Sequence, residues 1–302
     1  MTLSANARGA AYMSVAMAAF TLNDSCMKIV TETLPLFEAM VLRGLPTLAA
    51  LLLIAWHRGV LAVALPQADR RWLALRSLGE IAGTLTFLAA LRHMPLANLS
   101  AILQFLPLAV TLTAALLLHE PIGWRRLTAI FVGFFGVLLI VRPGMAGFDI
   151  WSLLGLLSVG CVVLRDLATR RLTSELPSVT VAIFAAGSVT LTGLVLLPFG
   201  GWVPPAPHEL VLIAAAAAFL VAGYLLIVMA MRVGEIALVA PFRYTALLFA
   251  ILLGRVVFGQ LPDAMTLAGA AIVIATGIYT FYRERARGQQ LAMPAKAPLR
   301  LR

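Results

Sequence analysis

Charged and amide side chains standing inside long apolar runs are the first chemical signal in this sequence. Asp24, Arg43, Glu80, Arg165, Asp166 and Arg243 all interrupt stretches that are otherwise nearly free of charge. On insertion scales a charged group at the centre of a bilayer costs about 2.5–3.5 kcal/mol, so it is kept where it pairs, lines water or binds something. Arginine offers a planar fork of donors that grips a carboxylate. Arg243, next to Tyr244, is therefore read in two ways: as a clamp for an anionic group of a small molecule, or as the ion-pair partner of Glu80. Glu80 has its own two readings. It is a counter-charge for a cation or a proton carrier, or else a structural partner of Arg243 or of Arg76 four residues earlier. Glu80, Gly83, Thr84 and Phe87 share one helix face by their spacing.

Further polar groups repeat at helical spacing. Asn23-Asp24 is followed by Lys28, and Arg165-Asp166 by Arg170. In each case an acid and a base four apart can pair along one helix face, acting as a gate or as structure, while Asn23 and Asp24 are also candidates for contact with a bound solute. Arg43 can pair with Asp24 or close an outer gate. Gln104 and Tyr244 can both face one central cavity or fill the core. Phe87, Phe105, Phe242 and Tyr224 can stack on a flat solute or simply pack. Cys26 and Cys161 lie in apolar runs and support neither a disulfide framework nor a metal site. His57, His93, His119 and His208 sit at loop edges without metal spacing. There is no Walker P-loop, no His-Glu-x-x-His and no Gly-x-Ser-x-Gly, so neither direct ATP use nor hydrolase chemistry has its parts. No cofactor is implied, and an enzyme is not expected.

The elements that must position these groups follow from composition. Of the 302 residues 62 % are hydrophobic and 12 % charged, against about 45–50 % and 25 % in soluble domains. A soluble chain of this size has no core large enough to hide that surface. Ten stretches approach the roughly 20 apolar residues that cross a bilayer: about 10–29, 36–56, 72–91, 96–118, 122–141, 150–169, 178–197, 209–231, 235–257 and 263–282. Short separators hold most of the proline and charge. Placing the N-terminus inside puts 15 of the 23 Lys and Arg on the inner side, including Arg70, Arg71, Arg125, Arg126 and the tail from Arg283. By the positive-inside rule the net charge of +10 reports orientation rather than nucleic-acid binding, with both termini cytoplasmic. Arg8 followed by Ala10–Leu22 has the look of a signal peptide, but its removal would leave nine spans and reverse the loop signs. The polar tail after Arg287 is expected to be disordered.

The chain also repeats itself. A shift of 140 residues lays Arg92 on Arg232, Gly83 on Gly223, Gln104 on Tyr244 and the turn at Glu120 on the turn at Gln260. Near the start of each half a shift of 142 lays Asn23-Asp24-xxx-Lys28 on Arg165-Asp166-xxx-Arg170. Each half has five spans, an odd number, so the halves enter the bilayer in opposite directions. The expected fold is an all-α membrane protein of ten transmembrane helices in two inverted five-helix repeats. They are bounded as 1–9 N-terminus, 10–141 first repeat, 150–282 second repeat and 283–302 basic tail. Inverted repeats are a design of secondary transporters, with the solute site near the midplane between the halves.

Over residues 9–283 the sequence resembles the drug/metabolite transporter superfamily, in its ten-helix class with two EamA repeats. The resemblance is carried by Phe20-Thr21-Leu22-Asn23-Asp24 with Lys28, Leu42-Arg43, Leu118-His119-Glu120-Pro121, Gly133 with Gly136, Ala240-Pro241-Phe242-Arg243-Tyr244 and Gln260-Leu261-Pro262-Asp263. Gln260 departs from the usual repeat, where a glutamate is common. The Asn-Asp of the first helix and the Ala-Pro-aromatic-Arg-Tyr of the ninth resemble the branch of S-adenosylmethionine and riboflavin uptake carriers. The resemblance implies a secondary carrier in a bacterial inner membrane that moves a small polar metabolite by alternating access. Uptake is the leading expectation, with export of amino acids or drugs the alternative. Homodimer and monomer are both compatible with it.

Overall fold

The computed structural model describes the chain apart from residues 1–3, 61–64, 118–121, 144–148, 174–175, 234–235 and 293–302, and apart from the side chains of 232, 236–237 and 284–292. The expected turn at His119-Glu120, the Arg232 side chain and most of the basic tail thus lie outside the described residues.

The described chain is helical. In order it forms α1 (Ala5–Thr33), α2 (Leu36–His57), α3 (Gln67–His93), α4 (Leu96–Leu103), α5 (Leu106–Leu117), α6 (Trp124–Val141), α7 (Trp151–Arg170), α8 (Ser178–Gly200) and α9 (Pro207–Val233). It ends with α10 (Ile236–Val239), a 3-10 turn (Ala240–Tyr244), α11 (Thr245–Phe258) and α12 (Ala264–Ala292). Among the described residues nine spans are long and apolar enough to cross a membrane. The tenth is α1, whose 29 residues reach about 43 Å at 1.5 Å per residue, but whose polar groups dilute its hydropathy. Large side chains such as Phe131, Phe135, Leu191, Leu248 and Val256 point outward, as lipid-facing residues do. Helix α12 runs on to Ala292, so the helix extends past Arg287 into the segment expected to be disordered.

Two expected spans are broken. The fourth divides into α4 and α5 at Gln104-Phe105, and the ninth into α10, the 3-10 turn and α11. Proline explains both, because it lacks the N–H and crowds the carbonyl four residues earlier. Pro107 disturbs the turn at Leu103, and Pro241 opens the 3-10 turn. The breaks occupy matching positions in the two halves.

Packing follows the repeat. Helix α1 packs along α9 and α3 along α7, while α2 packs on α8 and α6 on α12. Exchanging the halves turns the first pair into the second and maps each of the last two onto itself. This is the signature of a two-fold relation between inverted five-span units. Glycines set the closest crossings. A Cβ at Gly136 would stand 2.8 Å from the Gly269 carbonyl, and one at Gly79 2.9 Å from the Cys161 carbonyl.

The sides of the molecule differ. With the side where α1 begins called the near side, Met27, Val30, Leu34, Met40, Leu91 and Leu99 of the main core pack together at the far ends of α1 to α4, and the same core extends toward the near side along α5 to α7 through Ala114, Ile130 and Leu167. Polar links add to the far-side packing. Thr33 donates to Glu209, the Val203 amide to Glu38 at 2.9 Å, and Arg142 pairs with Asp263. On the near half of α1 a separate small cluster forms around Met13, Ala16 and Met17.

Candidate functional site: a charged cavity between the repeats

A cavity of about 860 Å³ lies between the halves, lined from α1 to α5, α7 to α9, the 3-10 turn and the start of α11. It reaches the near-side connection of α7 and α8 at Thr173 and Leu176. On α1 its lining stops at Asp24, and on α2 it begins at Arg43. Counted from Thr33 and Leu36, roughly 10–14 Å of packed helix lies beyond it on the far side, and on α3 and α4, where the lining reaches Leu88 and Ser100, roughly 6–8 Å. Four arginines and three carboxylates face it: Arg43, Arg76, Arg165 and Arg243 with Asp24, Glu80 and Asp166.

These charges form two tiers. The deeper tier joins α1 to α2. Asn23 Nδ2 donates to Asp24 Oδ1 at 2.9 Å, and Arg43 Nη1 donates to Asn23 Oδ1 at 3.4 Å. Arg43, 8 % exposed, feels the Asp24 charge, yet the amide stands between them. The tier nearer the opening joins α3 to α7, which Gly79 allows to approach. Glu80 lies 3.4 Å from Arg76 and 3.6 Å from Arg165, and Arg165 holds Asp166 at 2.9 Å. Arg243 stands next to this chain. Asp166 acts on it electrostatically, but no carboxylate among the described residues comes within ion-pair distance.

The geometry corrects several expectations. Glu80 pairs with Arg76 and Arg165, not with Arg243. Lys28 does not pair with Asp24. Its Nζ donates to the carbonyls of Leu91 at 2.7 Å and Met94 at 2.8 Å, satisfying acceptors at the end of α3, where a cation also meets the helix dipole. Asp166 pairs with its neighbour Arg165, and Arg170 is exposed outside the cavity lining. Gln104 lines the cavity but Tyr244 does not. Successive residues of a 3-10 turn point about 120° apart, so when Arg243 faces the cavity Tyr244 faces α12, where Gly277 leaves room for its hydroxyl. Phe105 packs on Phe134 and Phe242 is 40 % exposed, so of the proposed aromatic stack only Phe87 and Tyr224 reach the cavity. Phe20, part of the resemblance but not of the expected site, lines the cavity edge-on to Tyr224 with centroids 5.6 Å apart. Its place four residues before Asp24, on the same face, was the available signal.

Residues 7–142 and 149–282 each match the family described as EamA-like transporter. The chain belongs to that family. Within it, the chain is 25 % identical over 215 residues to the S-adenosylmethionine uptake transporter of Rickettsia conorii, covering 70 % of this chain and 71 % of the relative. It is 25 % identical over 256 residues to the pseudopaline exporter of Pseudomonas aeruginosa, covering 84 % and 89 %. It is 28 % identical over 205 residues to the riboflavin transporter of Vibrio cholerae, covering 67 % and 68 %. A solved crystal structure superposes with a TM-score of 0.63 at 20 % identity, over 94 % of this chain and 99 % of the other, and so shares the fold. This EamA protein is thus a multi-pass membrane transporter of the drug/metabolite transporter superfamily. Its relatives include both uptake carriers and an exporter.

Proposed function

We propose that this protein is a secondary carrier that takes up a small polar metabolite across a bacterial inner membrane by alternating access, with both termini cytoplasmic. The observation that carries the proposal is the charged cavity between the inverted halves, reached from one side and closed from the other. Arg243 holds an anionic group of the solute: it lines the cavity with no carboxylate among the described residues at ion-pair distance, on a broken helix whose loosened turn can adapt to a ligand. Asn23, Asp24, Glu80, Gln104 and Tyr224 line the same space and complete the candidate binding surface. The Lys28 contact with the end of α3 belongs to the far-side seal, and Asp69, which accepts from the Thr173 amide at 3.0 Å, to the near-side rim.

The names of the relatives make S-adenosylmethionine and riboflavin the first solutes to try. Expressed in bacteria unable to make one of these compounds, the chain is expected to restore growth on a low external concentration of one of them. Arg243→Ala is expected to abolish the rescue at unchanged membrane abundance. Normal rescue by that variant would remove the anion clamp. The second reading, export, is favoured by the match to the pseudopaline exporter over most of both chains. It predicts no rescue and a lowered cellular content of the exported compound.

A further inference from the structure

The deeper tier has a peculiarity that a structural ion pair does not explain. Asp24 and Arg43 come from adjacent helices, line the same closed end of the cavity and sense each other's charge. In a low-dielectric site two such groups gain most by direct contact. Here Asn23 keeps them apart, with its carbonyl oxygen turned to Arg43 and its amide nitrogen to Asp24. Each ion therefore keeps unused capacity. Asp24 Oδ2 makes no hydrogen bond among the described residues, and Arg43 Nε is buried without a partner. A ligand carrying the complementary groups can take up that capacity. A carboxylate and a guanidinium held side by side, with a neutral amide between them, match a ligand whose own cation and anion are equally close.

The wall beside this tier has a matching character. Phe20 lies one turn before Asp24 on the cavity face of α1, and Tyr224 meets it edge to face. Aromatic surface next to a carboxylate favours an organic cation. The second tier is about 6–10 Å nearer the opening by helix rise, so the body of the solute runs toward Arg243, which there meets a second anionic group or, in a solute whose single carboxylate is taken by Arg43, donates to neutral acceptor atoms such as ribose or base oxygens and nitrogens.

We propose that Asp24, Asn23 and Arg43 form a subsite for a compact zwitterionic head, an ammonium and a carboxylate on one carbon, as in an α-amino acid or a metabolite built on one. The ammonium binds Asp24 against Phe20 and Tyr224, and the carboxylate binds Arg43. The solute enters with this head deepest, where the cavity is closed. This subsite rests on the carrier reading and narrows its substrate class to amino-acid-type compounds, which sets riboflavin aside.

The test uses the purified full-length chain. Thermal stabilisation is measured with S-adenosylmethionine and a panel of free amino acids, with their N-acetyl and carboxyl-ester derivatives, and with riboflavin. At least one free zwitterion is expected to stabilise the protein, with each blocked form binding at least ten-fold more weakly. Asp24→Asn should abolish the discrimination against N-acetylation while keeping that against esterification, and Arg43→Gln the reverse. Stabilisation by no zwitterion, or equal stabilisation by the blocked forms, overturns the subsite, as does unchanged discrimination in both variants. Solute flux in liposomes is recorded in parallel. Riboflavin flux without zwitterion binding sinks the subsite and leaves the carrier standing. Zwitterion binding without flux of any solute sinks the carrier and leaves the subsite.

Discussion

Arg165 is the residue on which the upper charge chain depends. It holds Asp166 and shares Glu80 with Arg76. Breaking a buried pair by removing one partner costs about 3–5 kcal/mol. Since Arg165 lines a cavity open to water, we expect Arg165→Met to cost less, about 1–3 kcal/mol. Unfolding of the purified protein in detergent should also show Arg165→Met with Asp166→Leu recovering part of that loss. A single variant as stable as the wild type would show that the chain contributes nothing to the fold. The charges themselves were legible from sequence, because an ion in an apolar run stands out. Their pairing was not. Spacing on one helix offers Arg76 to Glu80, as the structure has it, but hydropathy does not show which helices touch, and Gly79 brings α7, not the ninth span, close enough for Arg165 to take part. For Lys28 the sequence offered an acid four residues earlier and gave no sign of the bare carbonyls ending α3.

At the scale of elements, α6 and α12 cross through Gly136 and Gly269 with almost no clearance. Gly136→Leu should separate them and lower the yield of folded protein severely, because the new side chain meets backbone rather than a mobile tip. Gly160, on the same kind of helix, has nothing within 4 Å of an added Cβ. Gly160→Ala should be neutral or stabilise by about 0.5–1 kcal/mol. Folded yield by size-exclusion chromatography distinguishes them, and equal yields would contradict the packing. Spans of this kind were readable from hydropathy alone. The breaks in the fourth and ninth were less so: Pro241 stands inside the ninth break, while Pro107 acts on a break three residues before itself, and hydropathy averages both away.

The far-side seal offers a pH test of the same architecture. The Arg142 guanidinium beside Asp263, with help from the Thr266 amide, holds the Asp263 carboxyl well below the usual carboxylate range. A depressed folded pKa stabilises above the ordinary value near 4 and loses that contribution as pH falls through the folded value. Because Asp263 is largely exposed the contribution is small. The melting temperature of wild type should exceed that of Asp263→Asn at neutral pH, with the gap shrinking as the medium is acidified below about pH 4. A gap that grows on acidification would contradict the pairing.

For the whole molecule the architecture and the family were within reach of the sequence. An odd number of spans in each half already requires inversion, and the exchange of α1·α9 with α3·α7 is its structural counterpart. What the sequence did not contain was the asymmetry of the two sides. That depends on which ends of the helices pack together, with Met27, Val30, Leu34 and Met40 closing one end while the α7–α8 connection borders the opening at the other. The proposal stands on the cavity between the halves carrying a solute that Arg243 grips. Flux of radiolabelled S-adenosylmethionine into liposomes holding the wild-type chain or Arg243→Ala, at equal protein content, tests it most directly. The account predicts saturable entry with the wild type and none above empty liposomes with the variant. Equal entry with both would contradict it.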